Sequence, residues 1–351
     1  MLKGNTNYSS KRLVILIDYR QQFYSSTLGR GASLDISLIK SGFEAAGYAV
    51  YVYQYSEIDF SKQDYSDALV LYKSSEDPSL KYKDFIEDIL LGMAYQGATL
   101  IPDFQYFRAH HNKVFMEIMR SSLKEKFGLP SSRYYGTYEE YLQDFTSDSF
   151  PVVFKSATGS KASNVFIAHS KDEANAVAKK ISSTPSTFNA SLRRLSLADA
   201  NGFLPISNNR NKFIVQDYIP GVPGDYKVLV YGGRYFTFYR ENRPNDFRAS
   251  GTMDFVFVDT LPDAVLDFAN QVYDSFDVPF ISLDIGYDRN QCYLFEFQFV
   301  EFGQRAVQRS NHYFQKKESG WERISQQSKA EHEFVRSVHQ YIQKKQGGNN
   351  A

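Results

Sequence analysis

The sequence feature that most constrains the fold is an alternating segment, Phe280–Gln298, which reads FISLDIGYDRNQCYLFEFQ. Side chains two residues apart on a strand share a face, so this pattern predicts a two-stranded hairpin with one apolar and one polar face. A three-residue turn at 288–290 gives a register in which Asp284, Glu296 and Gln298 share the polar face, and a slip of one residue would turn Asp284 into the core. The opposite, buried face is predicted to hold four apolar side chains: Leu283, Ile285, Phe295 and Phe297.

The polar face of this hairpin is a candidate cation site. Two carboxylates and one amide oxygen, from Asp284, Glu296 and Gln298, suit Mg²⁺ carried in by nucleotide phosphates better than they suit Zn²⁺. Antiparallel hairpins with one solvated face also carry acids without any catalytic role. The rest of the chain therefore has to decide between these two interpretations.

Bulk composition excludes several classes of protein. The 351 residues are enough for two or three compact lobes, and 42% hydrophobic with 23% charged residues is typical of a globular chain. Lys+Arg and Asp+Glu number 40 each, so no net charge steers the chain toward nucleic acid or an anionic membrane. The single cysteine, Cys292, excludes an internal disulfide and a CxxC zinc site. The apolar run Leu13–Ile17 is too short for a signal-peptide core or a membrane span, so we expect a cytoplasmic protein with neither nucleic acid nor membrane as partner.

The first hundred residues alternate between apolar runs and amphipathic segments. The predicted strands are Leu13–Asp18, Ala49–Tyr53, Asp67–Tyr72 and Ala98–Ile101, and the predicted helices are Ser33–Ala46 and Tyr82–Gln96. Strands that alternate with helices favour a parallel, Rossmann-like lobe. The GxGxxG pattern of a dinucleotide site does not follow the first strand, so this lobe is better suited to a substrate platform.

A small, hydroxyl-rich loop follows in the middle of the chain. Two predicted strands, Phe150–Lys155 and Asn164–Ala168, flank the loop 156–163, which reads SATGSKAS. Backbone N–H groups of such a loop can hold phosphate oxygens, although loops of this composition are more often simple turns. Lys155 adds weight to the first interpretation, because a cation at the end of an apolar strand is costly unless it meets an anion.

The last part of the chain reads as an antiparallel lobe. A strand from Asp225 to Val230 and a return strand from Tyr235 to Arg240 are joined at Gly232-Gly233, which predicts a hairpin turn. A helix over 261–276 precedes the Phe280–Gln298 hairpin, and an amphipathic helix over 327–343 ends the chain. That last helix can pack on its own lobe or on a second subunit, so a homo-oligomer is left open.

Taken in chain order, these segments resemble the ATP-grasp superfamily, which includes D-alanine–D-alanine ligase, glutathione synthetase and the ligases that add glutamate to protein tails. The resemblance covers residues 12–303. It implies an α/β (α+β) ATP-grasp fold with a Rossmann-like parallel-sheet lobe, a small central lobe with the phosphate loop and a large antiparallel-sheet lobe. The corresponding domains are 1–105, 106–185 and 186–351.

The resemblance also implies roles for individual residues. Lys113 and Lys155 would hold phosphates, the segment 216–219 would hold adenine, and Asp225 would contact the ribose. The complete implied ATP set is Lys113, Lys155, Ser156, Thr158, Gly159, Ser160, Gln216, Asp217, Tyr218, Ile219 and Asp225. Arg240 and Arg248 resemble the catalytic arginines that face the reacting phosphoryl group. The implied metal ligands are Asp284, Glu296 and Gln298, for two Mg²⁺ ions with Mn²⁺ as a substitute.

Three positions depart from the pattern of the family. The third metal ligand is usually Asn, and here it is Gln298; the hinge acid is usually Glu, and here it is the shorter Asp217. Lys227 stands where Arg is common, which replaces a bidentate fork with a point charge. No charge that the chemistry needs is lost.

The activity implied by the resemblance is ATP-dependent carboxylate–amine ligation. A small-molecule or peptide carboxylate would take the γ-phosphate to form an acyl phosphate, and an amine would displace phosphate to leave an amide, with release of ADP. Three alternatives stay open: an ATP-grasp phosphotransferase that stops at a phosphorylated small molecule, a non-catalytic ATP-binding regulatory protein, and a Rossmann-like binding domain without ATP.

Overall fold

The computed structural model of the protein describes residues 8–23, 34–123, 127, 129–146, 149–159, 164–184, 206–243, 246, 248, 256–257 and 259–348. Its described strands form three β-sheets. The chain divides into two compact units, one of residues 1–110 with 222–351 and the other of residues 111–221.

The first unit begins with a parallel sheet of short apolar strands in the order β2-β1-β3-β4. Its strands are β1 (Arg12–Ile17), β2 (Ala49–Gln54), β3 (Leu69–Leu71) and β4 (Thr99–Ile101). Strands β1 and β3 are nearly unbroken runs of buried apolar residues, which is the pattern of a strand covered on both faces. The predicted parallel, Rossmann-like sheet is confirmed.

Helices of the first unit begin and end at residues that the sequence marks. The helices near this sheet are α1 (Ile36–Ala45), α2 (Lys81–Gln96) and α3 (Phe104–Ala109). The side chain of Asp35 accepts hydrogen bonds from the N–H groups of the first turn of α1 and so caps it. Helix α2 ends at Gln96 and is followed by Gly97, whose φ of +102° lies in the left-handed region that glycine adopts without strain.

The second unit contains an antiparallel sheet in the order β5-β8-β6-β7. Its elements are α4 (Lys113–Ser121), β5 (Ser132–Tyr135), α5 (Tyr138–Asp144), β6 (Val152–Ser156), β7 (Val165–Ala168), α6 (Lys171–Ser182) and β8 (Phe213–Asp217). The fully buried ring of Tyr141 lies within 6 Å of the rings of Phe145, Phe154 and Phe213. Strand β8 pairs with β5 and β6 in this sheet. The division of the chain into three domains, 1–105, 106–185 and 186–351, stays a prediction.

The remainder of the first unit is a large antiparallel sheet in the order β12-β11-β9-β10-β13-β14. Its elements are β9 (Gly224–Tyr231), β10 (Arg234–Glu241), α7 (Asp263–Asp274), β11 (Phe280–Tyr287), β12 (Cys292–Gln298), α8 (Arg305–Arg309), β13 (Tyr313–Lys317), β14 (Gly320–Ile324) and α9 (Ala330–Gly348). Helix α7 covers one face of this sheet. The apolar end of the other face shares one core with the parallel sheet, where Leu229 and Phe280 cluster with Leu13 and Phe334 of α9.

The predicted hairpin is present, but its turn and its inner face differ from the prediction. The strands pair Tyr287 with Cys292, so the turn has four residues, 288–291, and the predicted three-residue turn is wrong. The register of the two strands skips Phe295, which forms a β-bulge, and Leu294 takes the buried position that was predicted for Phe295. The extra turn residue and the bulge offset each other in the alternation of the strand. Asp284 therefore pairs directly with Glu296, on the face predicted for both.

The bulge changes the face of every residue between it and the turn. Simple alternation back from Glu296 predicts that Cys292 shares its face, and the structure shows that this prediction is wrong. Its Sγ lies 3.6 Å from the backbone oxygen of Ala264 in α7, on the opposite face of the sheet. The thiol therefore lies on the face of the sheet opposite to Asp284 and Glu296.

Candidate active site

One face of the large sheet carries a row of charged and amide side chains across four neighbouring strands. The strand order β12-β11-β9-β10 and the register place them side by side, since Asp284 pairs with Glu296 and with Lys227, and Asp225 pairs with Arg240. The charged row is Glu296 and Gln298 on β12, Asp284 on β11, Asp225 and Lys227 on β9, and Arg240 on β10. Alternation gives the residues of each strand a common face, and the register places Asp284 beside Lys227 and Asp225 beside Arg240.

The centre of the charged row is a compact ion-pair network. Arg240 donates from Nε and Nη2 to the two carboxylate oxygens of Asp225, at 2.6 and 2.7 Å. Its Nη2 also lies 2.9 Å from Oδ2 of Asp284, and the other oxygen of Asp284 accepts from Lys227 Nζ at 2.7 Å. The four side chains are between 8% and 14% exposed, so solvent screens these contacts weakly.

The pKa values of the two acids in this network shift in opposite directions. Burial alone would raise the pKa of Asp284, but the Arg240 guanidinium and the Lys227 ammonium hold that pKa well below its usual range. Burial raises the pKa of Asp225 to about 6, and the Asp284 carboxylate adds to this shift while Arg240 and Lys227 oppose it. The Arg240 guanidinium is held in its charged form, because its two carboxylate neighbours outweigh its burial and raise its pKa.

The outer end of the charged row has the donors of a hard-cation site. Gln298 Nε2 donates to Glu296 Oε1 at 3.2 Å, and both side chains are half-buried on β12. A carboxylate beside an amide oxygen is a donor set that Mg²⁺ or Mn²⁺ accepts. Asp284 differs from this pair, because each of its oxygens already accepts from a cationic side chain. Glu296 and Gln298 therefore fit a divalent cation, and Asp284 fits one less well.

Arg248, the second predicted catalytic arginine, lies beyond the end of β10. Its guanidinium forms a fork with Asp246, with Nε and Nη2 at 2.9 and 2.7 Å from Oδ2. This pairing raises the pKa of the arginine and lowers the pKa of the acid. The guanidinium stays partly exposed on a segment whose described residues are 246 and 248, and its predicted role remains untested.

The second unit gathers the predicted phosphate-binding lysine and the start of the phosphate loop. Helix α4 begins after Asn112, whose side chain accepts from Phe115 N, and the N–H of Lys113 donates to the carbonyl of Ala157. Lys113 Nζ then lies 3.4 Å from the carbonyl of Gly159. The loop is thus tied to the head of a helix, where backbone N–H groups and a cation favour an anion.

Glycine is required at position 159 of this loop. Its φ is +116°, and a Cβ there would stand 2.7 Å from Nδ2 of Asn164. Of the other predicted loop residues, Ser156 is half-buried at the end of β6 and Thr158 is exposed. Ser160 lies outside the described residues. The predicted Lys155 is half-buried on β6, paired in register with Val165 and Ile214.

The predicted adenine segment continues the same sheet. Gln216 is buried on β8 and donates to Ser132 Oγ at 2.9 Å, so its side chain is engaged by its own unit. Asp217 ends the strand with an exposed side chain, while its N–H donates to the carbonyl of Ser131. Tyr218 and Ile219 follow, both half-buried. The backbone of this segment leaves the sheet after Asp217, which suits contacts to a ligand edge.

Sequence reasoning missed a second cluster of buried charge in the first unit. Lys73 lies two residues after β3, and its Nζ donates to the carbonyl of Val300 at 2.6 Å. Four aromatic rings lie within 6 Å of that ammonium: Phe23, Phe280, Phe302 and Phe334. Burial lowers the pKa of Lys73 to about 8, although Glu301 opposes the shift. The signal was available, because an apolar run ending in Lys was the argument applied to Lys155.

Glu301 is the acidic member of this buried cluster. It is fully buried, and within the described residues neither carboxylate oxygen has a hydrogen bond of good geometry. Burial raises the pKa of Glu301 well above its usual range, Glu76 and Asp18 add to the shift, and Lys73 with the backbone N–H of Ser74 oppose it. The cluster therefore holds a carboxyl group that favours its protonated form.

Solved structures with a similar fold were found, although no protein-family model matches the sequence and a search of curated proteins finds no significant match. The D-cycloserine synthetase DcsG is 13% identical, with a TM-score of 0.54 over 94% of this chain and 99% of that chain. The ATP-grasp ligase PsnB complexed with precursor peptide PsnA2 and AMPPNP is 10% identical, with a TM-score of 0.50 over 96% and 98%. The macrocyclase MdnC bound with precursor peptide MdnA from Microcystis aeruginosa MRC is 11% identical, with a TM-score of 0.50 over 95% and 99%.

These likenesses show that the chain has the ATP-grasp fold, as its sequence predicted. Sequence identity this low establishes the fold and leaves the chemistry to be argued from the residues. None of the helices in the described part of the chain has the length and the apolar run that crossing a lipid bilayer requires.

Proposed function

We propose that this protein is an ATP-dependent carboxylate–amine ligase that works through an acyl phosphate and releases ADP and phosphate. The observation that carries the proposal is the charged row on one face of the large sheet of an ATP-grasp fold. Its strands bring a carboxylate–amide pair, two further acids, a lysine and an arginine onto one surface. Such a surface favours the positioning and charge stabilisation on which phosphoryl transfer depends.

Glu296 and Gln298 would hold the Mg²⁺ of a Mg-nucleotide complex, which when bound would neutralise phosphate oxygens. Arg240 is fixed in place by Asp225, so its charge is positioned before any ligand arrives. Preorganised cations of this kind stabilise charge that develops in a transition state without paying for reorganisation at that moment. The guanidinium of Arg248 would be a second positive group in contact with the transferred phosphoryl group.

The second unit would hold the phosphates and the adenine. The cation of Lys113 lies at the phosphate loop, beside the head of α4, and Lys155 lies on the strand that leads into the loop. A closed loop excludes water, which protects an acyl phosphate from hydrolysis. The backbone of 217–219, which leaves the sheet at the end of β8, would hold the adenine edge.

The proposed substrate class rests on acyl-phosphate chemistry and on the names and bound peptides of the solved structures with a similar fold. Two of them were solved with a precursor peptide, and a third is a D-cycloserine synthetase. We infer that the substrate is a peptide or small-molecule carboxylate and that an amine is the second substrate. Either kind of carboxylate can be activated as an acyl phosphate, and a bound amine can then displace phosphate from it.

The test measures ADP release from Mg-ATP with pooled small carboxylates or pooled peptides, with hydroxylamine as a surrogate amine. We expect carboxylate-dependent ADP release, a hydroxamate product and loss of both in Glu296→Ala. Glu322→Ala, on the exposed side of β14, is the matched control and should keep full activity. ADP release without hydroxamate would support the phosphotransferase alternative. Nucleotide binding without ADP release from any pool would support the regulatory alternative.

A further inference from the structure

Asp284 lies in the charged row with both of its oxygens already committed to cations. Lys227 Nζ is 2.7 Å from Oδ1, and Arg240 Nη2 is 2.9 Å from Oδ2. A Mg²⁺ or Mn²⁺ ion bound to this carboxylate would have to sit about 2.0–2.1 Å from one of these oxygens. It would then stand against a positive side chain that approaches the same atom.

The backbone holds Lys227 at this position. Lys227 and Asp284 are directly paired in the β9–β11 ladder, where opposite residues have Cβ atoms about 4.5–5.5 Å apart. The ammonium is only one strand away, and its side chain is 14% exposed. A lysine in this environment carries a compact point charge, similar in size to a small hydrated cation and unlike the broad fork of an arginine.

The four side chains at the centre of the charged row balance each other's charge, so Asp284 needs no external cation. Asp225 and Asp284 contribute two negative charges, and Arg240 and Lys227 contribute two positive charges, so these four side chains are neutral together. The remaining acid of the charged row is Glu296, whose amide neighbour Gln298 is uncharged. One carboxylate with one amide oxygen is a donor set for a single divalent ion that keeps phosphate and water ligands.

We propose that this protein holds one divalent cation with its nucleotide, at Glu296 and Gln298, and that the Lys227 ammonium occupies the place of a second cation on Asp284. This inference rests on the proposed function, since it concerns the metal of a bound nucleotide. Asp284 is then a positioning residue that orients Lys227 and Arg240. Lys227 is a built-in cation whose charge faces the same surface as the metal.

The test counts Mn²⁺ ions by electron paramagnetic resonance and equilibrium dialysis, with the full chain and equimolar AMPPNP. For the wild type we expect one Mn²⁺ per protein–nucleotide complex, with no coupling between metal spins. Lys227→Met keeps an unbranched side chain one heavy atom shorter and removes its charge, so we expect a second Mn²⁺ and the broadened spectrum of two neighbouring ions. Lys227→Arg, which restores a cation, is the matched control and should bind one ion.

Two further variants separate the roles of the two acids. Asp284→Asn should keep one Mn²⁺, with its affinity within about threefold of the wild type, whereas Glu296→Gln should weaken Mn²⁺ binding by at least about tenfold. Two coupled ions in the wild type, one of them lost in Asp284→Asn, would overturn the inference and leave the proposed function intact. A wild type that binds neither AMPPNP nor Mn²⁺ would overturn both. If Lys227→Met does not fold, the wild-type count and Asp284→Asn still decide.

Discussion

Removing the Arg240 guanidinium should cost this protein far more stability than removing an exposed arginine whose ion pair has a similar bond length. Arg240 makes three charge-assisted contacts of 2.6–2.9 Å, two to Asp225 and one to Asp284. In Arg240→Met the side chain keeps its apolar stem, but Asp225 loses both of its bonds in a site where it is 8% exposed. Breaking a buried pair by removing one partner typically costs about 3–5 kcal/mol, because the remaining charge is uncompensated. We expect Arg240→Met to lower the free energy of unfolding by about that amount.

The matched control is Arg323→Met, which removes a pair of the same bond length. Arg323 Nη2 is 2.7 Å from Asp259, but the acid is 80% exposed. Exposed pairs contribute about 0–1 kcal/mol, so this variant should lose little. Urea unfolding can be followed by the fluorescence of Trp321, the only tryptophan in the sequence. Trp321 and both arginines belong to the first unit, so one probe measures both variants.

Two outcomes would contradict this reasoning. The first is a loss in Arg240→Met no larger than that in Arg323→Met, which would mean that water or a rearrangement satisfies Asp225 at no cost. The second is that Asp225→Asn and Arg240→Met have purely additive effects when they are combined. If the stranded charge is the cause, neutralising it should recover part of the loss, with a coupling energy of about 1–3 kcal/mol between the two positions. Additive losses would assign the damage to packing instead.

Three further predictions test the core, the buried carboxyl and a helix cap. Phe154→Ala, which removes a fully buried ring in edge contact with Tyr141, should cost about 3–5 kcal/mol in thermal unfolding of the second unit. The raised pKa of Glu301 means that its contribution to stability is complete below the unfolded pKa, about 4.3, and is lost as pH rises, so the stability of Glu301→Gln relative to the wild type should increase between pH 5 and pH 8 in urea titrations. Thr137→Ala removes the side chain that caps α5 and should cost about 1 kcal/mol by the same titration, with Thr137→Ser close to the wild type.

The sequence predicted the two-sided character of the Phe280–Gln298 hairpin because alternation is a local property of a strand. It could not predict the turn length or the bulge, because an extra residue in either place leaves the composition unchanged. One local indication was present. Gly286 is a glycine inside a strand, and the Cβ of any other residue there would stand 2.4 Å from the Phe295 ring. A glycine in such a position often marks a bulge or a close approach, so Gly286 could have indicated that Phe295 folds back over the opposite strand.

The contacts within the charged row were beyond the sequence for a different reason. Asp225, Lys227, Arg240 and Asp284 were each placed on the correct strand, but their pairing depends on the register between strands that are up to about sixty residues apart in the chain. Register follows from how the apolar ends of these strands pack against the parallel sheet, which is a tertiary property. The resemblance could suggest a role for each residue. The ion pairs of Asp284 with Lys227 and Arg240 could be seen only in the structure.

Lys155 and Lys73, each at the end of an apolar run, show how far one sequence argument extends. A cation in that position is costly without a counter-group, and this argument led from Lys155 to an anion-binding loop. Lys73 has the same context, yet the fold surrounds it with aromatic rings and the carbonyl of Val300, and burial brings its pKa to about 8. Rings and a carbonyl stabilise an ammonium without any external ligand. The pattern therefore predicts that a lysine needs compensation, and only the neighbouring elements decide whether the protein or a ligand supplies it.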